Sequence, residues 1–243
     1  MANILIKLKI VLRRVFALII LIGSTYACYS QSNDAELWEN ISLEKQLSRN
    51  YKFHFNHEGR IGNNISQFHY AYGDFGLTRE LTKHFKATVD YVLVWKLVTV
   101  NNRYERQSWR HQWYFAGMYK DKLFKRFELE IREMYQQQFQ DVYSSDAGRY
   151  ADEYLRSKIS IMYLFHKYPF YRFKPYIASE SYYHMSNNDK YGPEFDRIRY
   201  FEGVFYNFNK KSALELYYLF EFNFNTNDPP TNYVMGIGYS KEF

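Results

Sequence analysis

The chain has 243 residues, of which 21% are aromatic and 24% are charged, and it contains 26 Tyr and 21 Phe. Its mean hydropathy is negative, whereas a helical membrane protein needs about 20 apolar residues for each span. The composition therefore argues against a helical membrane protein, and so high an aromatic content is unusual in a soluble one. A membrane β-barrel reconciles the two observations, because every second residue of its strands faces the lumen and aromatic residues concentrate at the interfaces.

The formal charge of +6 comes mostly from one end of the chain. Lys7, Lys9, Arg13 and Arg14 lie in the first thirty residues, which contain no acidic residue. Without them, 28 basic residues face 26 acidic ones, a net charge of +2. The charge therefore gives no reason to expect a nucleic-acid partner. The single cysteine, Cys28, excludes an internal disulfide and a cysteine metal cluster, and no cofactor is expected.

Residues 1–30 are predicted to be a cleaved signal peptide. A basic start is followed by an apolar run from Val15 to Ile22 and then by small and polar residues, which is typical of a secretion signal. The apolar run is too short to cross a bilayer as a helix. We therefore expect a signal peptide at 1–30 and one outer-membrane barrel domain at 31–243, in a Gram-negative cell.

Alternation of apolar and polar residues predicts strands along the rest of the chain. The predicted segments are Trp38–Leu47, Tyr51–Ile61, Gln67–Leu81, Phe85–Leu97, Ser108–Tyr119, Leu123–Gln138, Tyr154–Phe165, Phe173–Tyr183, Asp196–Tyr206, Ser212–Phe224 and a closing segment around Tyr233–Tyr239. Most have ten or more residues, and a tilted strand that crosses a bilayer needs about 9–11. The alternation slips near Gly73 and Gly76, which suggests a bulge there.

The predicted fold is all-β, an antiparallel transmembrane β-barrel. Eleven segments can be counted, but single-chain bacterial barrels have even strand numbers. About twelve strands are therefore predicted, with ten as the alternative. Short turns alternate with mostly longer, more polar loops such as 140–149, and this asymmetry matches the periplasmic and extracellular ends of an outer-membrane barrel.

The last strand resembles the signal that the barrel-assembly machinery reads in outer-membrane proteins. The residues that carry the resemblance are Phe243, Tyr239, Ile237 and Met235. Lys241 departs from the pattern, because an apolar residue is more usual at its position. Outer-membrane lipid and the assembly machinery are therefore the expected partners, and an envelope protein is a further possible partner.

Three longer stretches carry a family resemblance: "LWENISLEKQLSRNYKFHFNHEGRIG", "FKPYIASESYYHMS" and "FDRIRYFEGVFYNFNKKSALELYYLFEF". Together with the closing strand they resemble an uncharacterised β-barrel family of bacteroidete outer membranes, catalogued as a domain of unknown function. The resemblance implies a β-barrel in the outer membrane and carries no established activity.

Charged residues on the polar faces are expected to line the lumen. They are Arg126, Glu128, Glu130, Arg132, Arg156, Lys158, Glu180, Arg197, Arg199, Glu215 and Glu221. Because unpaired charges there would be costly, cross-strand ion pairs are predicted. About eight strands leave a filled interior and 16–18 leave an open channel, so the barrel is expected to be structural or to pass small solutes through a narrow, charged lumen.

Two other functions fit parts of the sequence. His184 and Ser186 have the spacing of the catalytic pair in outer-membrane phospholipases and lipid A deacylases, and residues two apart on a strand share a face. The third group that those families need falls at Ile198, which cannot orient a histidine. The other alternative is a barrel whose loop 140–149 binds an envelope partner. The seven histidines show no metal-ligand spacing, and His54 and His57 are expected to point to opposite faces.

Overall fold

The computed structural model describes residues 34–100, 104–139, 151–166, 168, 170–186, 194–224 and 231–243. Its strands are β1 (Asp34–Gln46), β2 (Tyr51–Gly62), β3 (Gln67–Glu80), β4 (Phe85–Val100), β5 (Tyr104–Phe124), β6 (Phe127–Phe139), β7 (Asp152–Tyr163), β8 (Phe173–His184), β9 (Glu194–Asn207), β10 (Ser212–Asn223) and β11 (Thr231–Glu242). A 3-10 turn, Phe170–Arg172, precedes β8. Within the described ranges, no helix is long and apolar enough to cross a membrane. The predicted signal peptide and the loop 140–149 lie outside these residues.

The strands close into a barrel, and the predicted all-β, mainly antiparallel architecture is confirmed. Neighbours along the chain pair antiparallel, whereas β1 pairs with β11 in parallel, from Asp34 opposite Asn232 to Glu44 opposite Glu242. The count is eleven, between the predicted ten and twelve. A closed sheet with an odd number of strands needs one parallel pair, and β1 and β11 supply it. The Trp38 segment is therefore a full member of the barrel.

Apolar side chains cover much of the outer face. Ile177, Leu216 and Met235 point outward with at least half of their surface exposed, at 58%, 50% and 62%. Closure gives every described strand a hydrogen-bonded neighbour on both sides, and strands in hydrocarbon require such internal pairing. The described barrel thus presents to its surroundings the kind of surface that lipid covers.

The outer face also carries two polar pairs near the middle of their strands. The Ser157 hydroxyl of β7 donates to Glu133 Oε2 of β6 at 2.6 Å. His57 Nε2 of β2 lies 3.5 Å from Glu39 Oε1 of β1. Each charged or titratable group therefore has a partner on the adjacent strand, which reduces the cost of placing it on an apolar surface.

The bulge expected near Gly73 and Gly76 does not occur there. Both residues lie in continuous register with β2 and β4. The irregularity in the β2–β3 pair comes instead at Arg60 and Ile61. Gly76 faces the interior, where its missing side chain leaves room for its neighbours. The gap in the apolar–polar alternation thus reflects a missing inward side chain and not a change of register.

A tight turn joins β2 to β3. Asn63, Asn64 and Ile65 have φ of 52°, 55° and 61°, the left-handed region that β-branched residues rarely adopt. The Asp34 carboxylate accepts hydrogen bonds from the backbone N–H groups of Asn63 at 3.0 Å and Asn64 at 2.6 Å. The start of β1 therefore holds this turn in place.

Candidate functional site: the charged lumen

The interior of the barrel holds a cavity of about 770 Å³. Strand alternation turns mainly polar and charged side chains toward it, from all parts of the barrel wall. A small apolar cluster of Trp38, Leu219 and Val234 packs inside the wall at the β1–β11–β10 side. The lumen is therefore neither filled with apolar side chains, as in a closed core, nor uniformly open.

Glu180 of β8 is the centre of a buried ion-pair cluster and is 2% exposed. Arg132 Nη2 of β6 donates to Glu180 Oε1 at 2.6 Å, and Arg156 Nη2 of β7 donates to the same oxygen at 3.0 Å. Arg199 Nη1 of β9 lies 3.9 Å from Glu180 Oε2. One carboxylate thus contacts three guanidinium groups. The attraction between these opposite charges offsets the cost of removing them from water.

A second carboxylate extends the cluster to β10. Arg199 Nε donates to Glu221 Oε2 at 2.5 Å, and Arg197 Nη1 lies 3.8 Å from the same oxygen. Arg197 Nε also donates to Asp196 Oδ2 at 2.7 Å. We call Arg132, Arg156, Glu180, Arg199 and Glu221 the arginine girdle.

Aromatic rings extend the contacts of the girdle to β1, β2 and β3. The Arg60 guanidinium lies 3.7 Å from the centre of the Trp38 ring and 4.1 Å from that of Tyr70. Arg60 Nη2 is also 2.5 Å from Glu58 Oε1. The Arg199 guanidinium reaches to 5.3 Å from the Trp38 ring. Charged and aromatic groups from β1, β2, β3 and β6–β10 therefore constrict the lumen.

One patch of the cavity wall near the longer loops is basic, although the buried Glu36 of β1 also lines this end. Lys96 of β4 and Arg110 of β5 lie on the same inner face, because Lys96 pairs with Ser108 and Val94 pairs with Arg110. The cationic side chains of Arg110, Arg197 and Arg60 lie close enough to repel the Lys96 ammonium. We call Lys96, Arg110 and Arg197 the basic mouth. Its field favours an anionic solute.

The predicted lumen residues fall into four groups in the structure. Seven line the cavity: Arg132, Arg156, Lys158, Glu180, Arg197, Arg199 and Glu215. Glu221 is buried in the girdle. Glu128 and Glu130 pair with Lys120 Nζ at 2.8 and 3.4 Å, near the turn that joins β5 to β6. Arg126 is exposed in that turn, outside both strands, and donates to the Tyr163 hydroxyl at 3.1 Å.

Ser186 and His184 make separate contacts. The Ser186 hydroxyl accepts from the backbone N–H of Glu153 at 2.6 Å and donates to the Ala151 carbonyl at 3.3 Å. The His184 ring stacks on Tyr154 at 4.6 Å, and its buried Nε2 has no hydrogen-bond partner. Ser186 therefore links the end of β8 to the start of β7 by hydrogen bonds. The geometry gives no support to an esterase pair.

Three residues of the predicted assembly signal lie on the outer face of β11, and Phe243 follows directly after the strand. Met235, Ile237, Tyr239 and Phe243 are all exposed, while the alternate Val234 is fully buried on the inner side. The backbone N–H of Phe243 donates to the Glu44 carbonyl at 2.9 Å, so β1 holds this last residue.

Sequence reasoning missed several interior groups. Trp38, Arg60 and Tyr70 lie far apart in the chain, and strand register alone brings them together. His54, Asp74 and Asp90 also converge on the inner wall, with one potential metal-ligand atom of each lying within 4.8 Å of the others. These three residues could hold a divalent cation.

The comparisons with known proteins identify a family but assign no function. A family model described as "Protein of unknown function (DUF2490)" matches residues 35–232. No curated protein matches the chain. A solved structure described as "Bacterial polysaccharide outer membrane secretin" is similar with 9% sequence identity and a TM-score of 0.41, over 78% of this chain and 74% of that chain. That likeness is too distant to bear on function.

Proposed function

Since the chain belongs to the family described as Protein of unknown function (DUF2490), which assigns no activity, we propose a function from the geometry. The protein is a non-enzymatic outer-membrane β-barrel that admits small polar solutes, with a preference for anions, to a narrow charged lumen. The observation that carries the proposal is the cavity of about 770 Å³ constricted by the arginine girdle.

The apolar outer face supports the location. A soluble protein rarely exposes contiguous apolar patches larger than a few hundred Å², whereas outward apolar residues occur here on strands all around the barrel. The closed sheet has no free edge to expose in lipid.

The interior supports solute entry and limits its size. The cavity lies within the range of roughly 300–1,000 Å³ that is typical of small-molecule sites. Eleven strands make the barrel wider than the filled eight-stranded type and narrower than the open 16-stranded porins. The girdle then occupies part of the remaining space, so large solutes are excluded.

The basic mouth supports selectivity. Rings of Arg and Lys are the device by which pores favour anions and phosphates. Lys96 and Arg110 form no ion pair with a carboxylate in the part of the chain that the structure describes, so their charge is available to a solute.

Current recordings from the purified protein in planar lipid bilayers test the proposal. We expect small current steps with a reversal potential that indicates anion preference. Glu180→Gln should raise the conductance, because three guanidinium groups around a neutral amide repel one another and open the girdle.

Glu215→Gln is the matched control. It makes the same chemical change on the inner wall, but Glu215 accepts a hydrogen bond from the Tyr176 hydroxyl and lies outside the girdle. Its conductance should equal that of the wild type. A wild-type barrel that inserts without any current, together with a silent Glu180→Gln variant, would exclude passage and leave a structural role.

A further inference from the structure

Three inward-facing residues on adjacent strands form a row across the barrel wall. His54 of β2 pairs with Gly76 of β3, and Gly76 pairs with Asp90 of β4. Asp74 stands two residues before Gly76 and so shares its face. Each of the three carries a nitrogen or oxygen that can ligate a cation, and all of them line the cavity.

Their donor atoms are close together. His54 Nε2 lies 3.0 Å from Asp90 Oδ1, and one ligand atom from each of the three residues lies within 4.8 Å of the other two. Ligands that bind Zn²⁺ at about 2.0–2.2 Å are separated from each other by about 3–4 Å. A small contraction of the row would therefore enclose a cation.

One buried carboxylate oxygen in the row, Asp74 Oδ1, has neither a hydrogen bond nor an ion pair among the described residues, and Asp74 is 7% exposed. Asp90 is 5% exposed, and its Oδ1 has the His54 imidazole as its ion-pair partner. The other oxygen of Asp74 accepts from Asn56 Nδ2 at 2.9 Å. Buried polar atoms are usually satisfied, and an unpaired buried charge is expensive. Asp74 and Asp90 line the same cavity as His54, so a cation bound between them would supply the partner that Asp74 Oδ1 lacks.

The remaining charges nearby do not replace a cation. Of the described basic residues, His54 alone forms an ion pair with either aspartate. Arg132 forms no ion pair with Asp74 in the described part of the chain, and its Nη2 donates instead to Glu180 Oε1 at 2.6 Å.

Gly76 provides the space in which the row converges. A Cβ atom at this position would overlap both Asp90 Oδ1 and His54 Nε2. With hydrogen alone at Gly76, side chains from the two flanking strands extend over β3 and meet above it. The absence of a side chain at Gly76 thus provides the space in which His54 and Asp90 approach each other.

A neighbouring hydroxyl orients the imidazole. Thr78 Oγ1 lies 3.4 Å from His54 Nδ1, and 3.2 Å from Thr88 Oγ1. In metal sites the ring nitrogen that does not ligate the metal usually has such a partner, which fixes the ring orientation. This contact leaves Nε2 directed at the two aspartates.

We propose that His54, Asp74 and Asp90 form a binding site for a divalent transition-metal cation on the lumen wall, with Zn²⁺ as the preferred ion. One imidazole with two carboxylates suits Zn²⁺ and Mn²⁺, whereas Ca²⁺ and Mg²⁺ favour all-oxygen sites. Three protein ligands leave a fourth position of a tetrahedral site open toward the cavity, where water or a small anion binds.

Calorimetric titration of Zn²⁺ into the folded, chelator-treated barrel in detergent tests the site. We expect one Zn²⁺ for each chain. Asp74→Asn and His54→Gln should each weaken binding by more than about tenfold, since even the loss of a partner that merely orients a ligand costs about 10–100-fold. His184→Gln is the matched control, because His184 is also buried with an unpartnered Nε2 but lies outside the row. It should bind Zn²⁺ as the wild type does.

A wild-type barrel that binds no Zn²⁺, or variants that bind it as tightly as the wild type, would overturn the proposal. If a variant does not fold, as judged by its heat-dependent mobility in gels, the absorption spectrum of Co²⁺ added to the wild type decides. Intense bands of tetrahedral Co²⁺ support the site, whereas the spectrum of aqueous Co²⁺ overturns it. Neither result depends on conductance, so the metal site and the proposed passage of solutes can fail separately.

Discussion

Arg132 of β6 donates a hydrogen bond to Glu180 of β8 at 2.6 Å, across the intervening strand β7. β7 contributes its own cation to the same oxygen, because Arg156 Nη2 lies 3.0 Å from Glu180 Oε1. Three adjacent strands are thus linked by side chains in addition to their backbone ladder. Glu180 therefore both narrows the lumen and stabilises this part of the barrel wall.

Neutralising Glu180 should therefore destabilise the barrel. Breaking a buried ion pair by removing one partner costs about 3–5 kcal/mol, so Glu180→Gln should lower the free energy of unfolding by about that amount. Urea unfolding in lipid vesicles, followed by tryptophan fluorescence, measures the change. Glu215→Gln should cost much less, since the Tyr176 hydroxyl can donate to an amide oxygen as well. Equal losses in the two variants would show that the girdle has no special role in stability.

Glu133 and Glu130 provide a test of which face meets lipid. Glu133 lies on the outer face of β6 beside Ser157, while Glu130 lies on the inner face beside Lys120. Acidic side chains on the lipid face destabilise membrane barrels, by less than the roughly 2–4 kcal/mol of Arg or Lys at the midplane. Glu133→Leu should raise the free energy of unfolding in vesicles by about 1 kcal/mol, and Glu130→Leu should lower it. The opposite order would contradict a lipid-covered outer face.

Gly76 and Gly73 are expected to differ in their tolerance of a methyl group. A Cβ at Gly76 would overlap His54 and Asp90, whereas at Gly73 the nearest atoms lie at ordinary contact distances of 3.7 Å. Overpacking an interior typically costs about 1–3 kcal/mol, so Gly76→Ala should lower stability by that amount. Gly73→Ala should change it by less than about 0.5 kcal/mol, as for most surface substitutions. Thermal unfolding of both variants in detergent makes the comparison.

Replacement by glycine should stabilise the protein more at Ile65 than at Asn64. Its φ of 61° costs a β-branched residue about 1–2 kcal/mol, and glycine removes that strain. Ile65→Gly should therefore raise the melting temperature. Asn64→Gly, at φ of 55°, should have little effect because asparagine already accepts this conformation. A lower melting temperature for Ile65→Gly would mean that the apolar side chain matters more than the backbone strain.

The strands were predictable because the alternation is long and regular. In β4 the residues Phe85, Val89 and Leu93 keep one face apolar through the predicted segment Phe85–Leu97, and the structure extends the strand to Val100. The strand count was harder to predict, because the rule of even numbers assumes antiparallel closure. Nothing local in Trp38–Leu47 indicates that β1 pairs with the last strand in parallel.

The charges of the girdle could be predicted, but their partners could not. Alternation alone places Arg132 and Glu180 on inner faces, whereas their contact depends on the register of β6, β7 and β8 together. The proximity of His54 and Asp90 is unpredictable for a related reason, since the two residues lie on different strands and only the register of β2, β3 and β4 brings them together. The phase slip at Gly76 is the signal of it that the sequence contains, because it marks an empty inner position and not the predicted bulge.

The parallel alignment of β1 with β11 has a topological consequence. Asp34 lies beside Asn232 at one rim of the barrel, and Glu44 lies beside Glu242 at the other. Asp34 and Phe243 are therefore at opposite rims. In a bilayer, a tag fused ahead of Asp34 and a tag fused after Phe243 would emerge in different compartments. An even-stranded barrel, by contrast, delivers both of its termini to the same compartment.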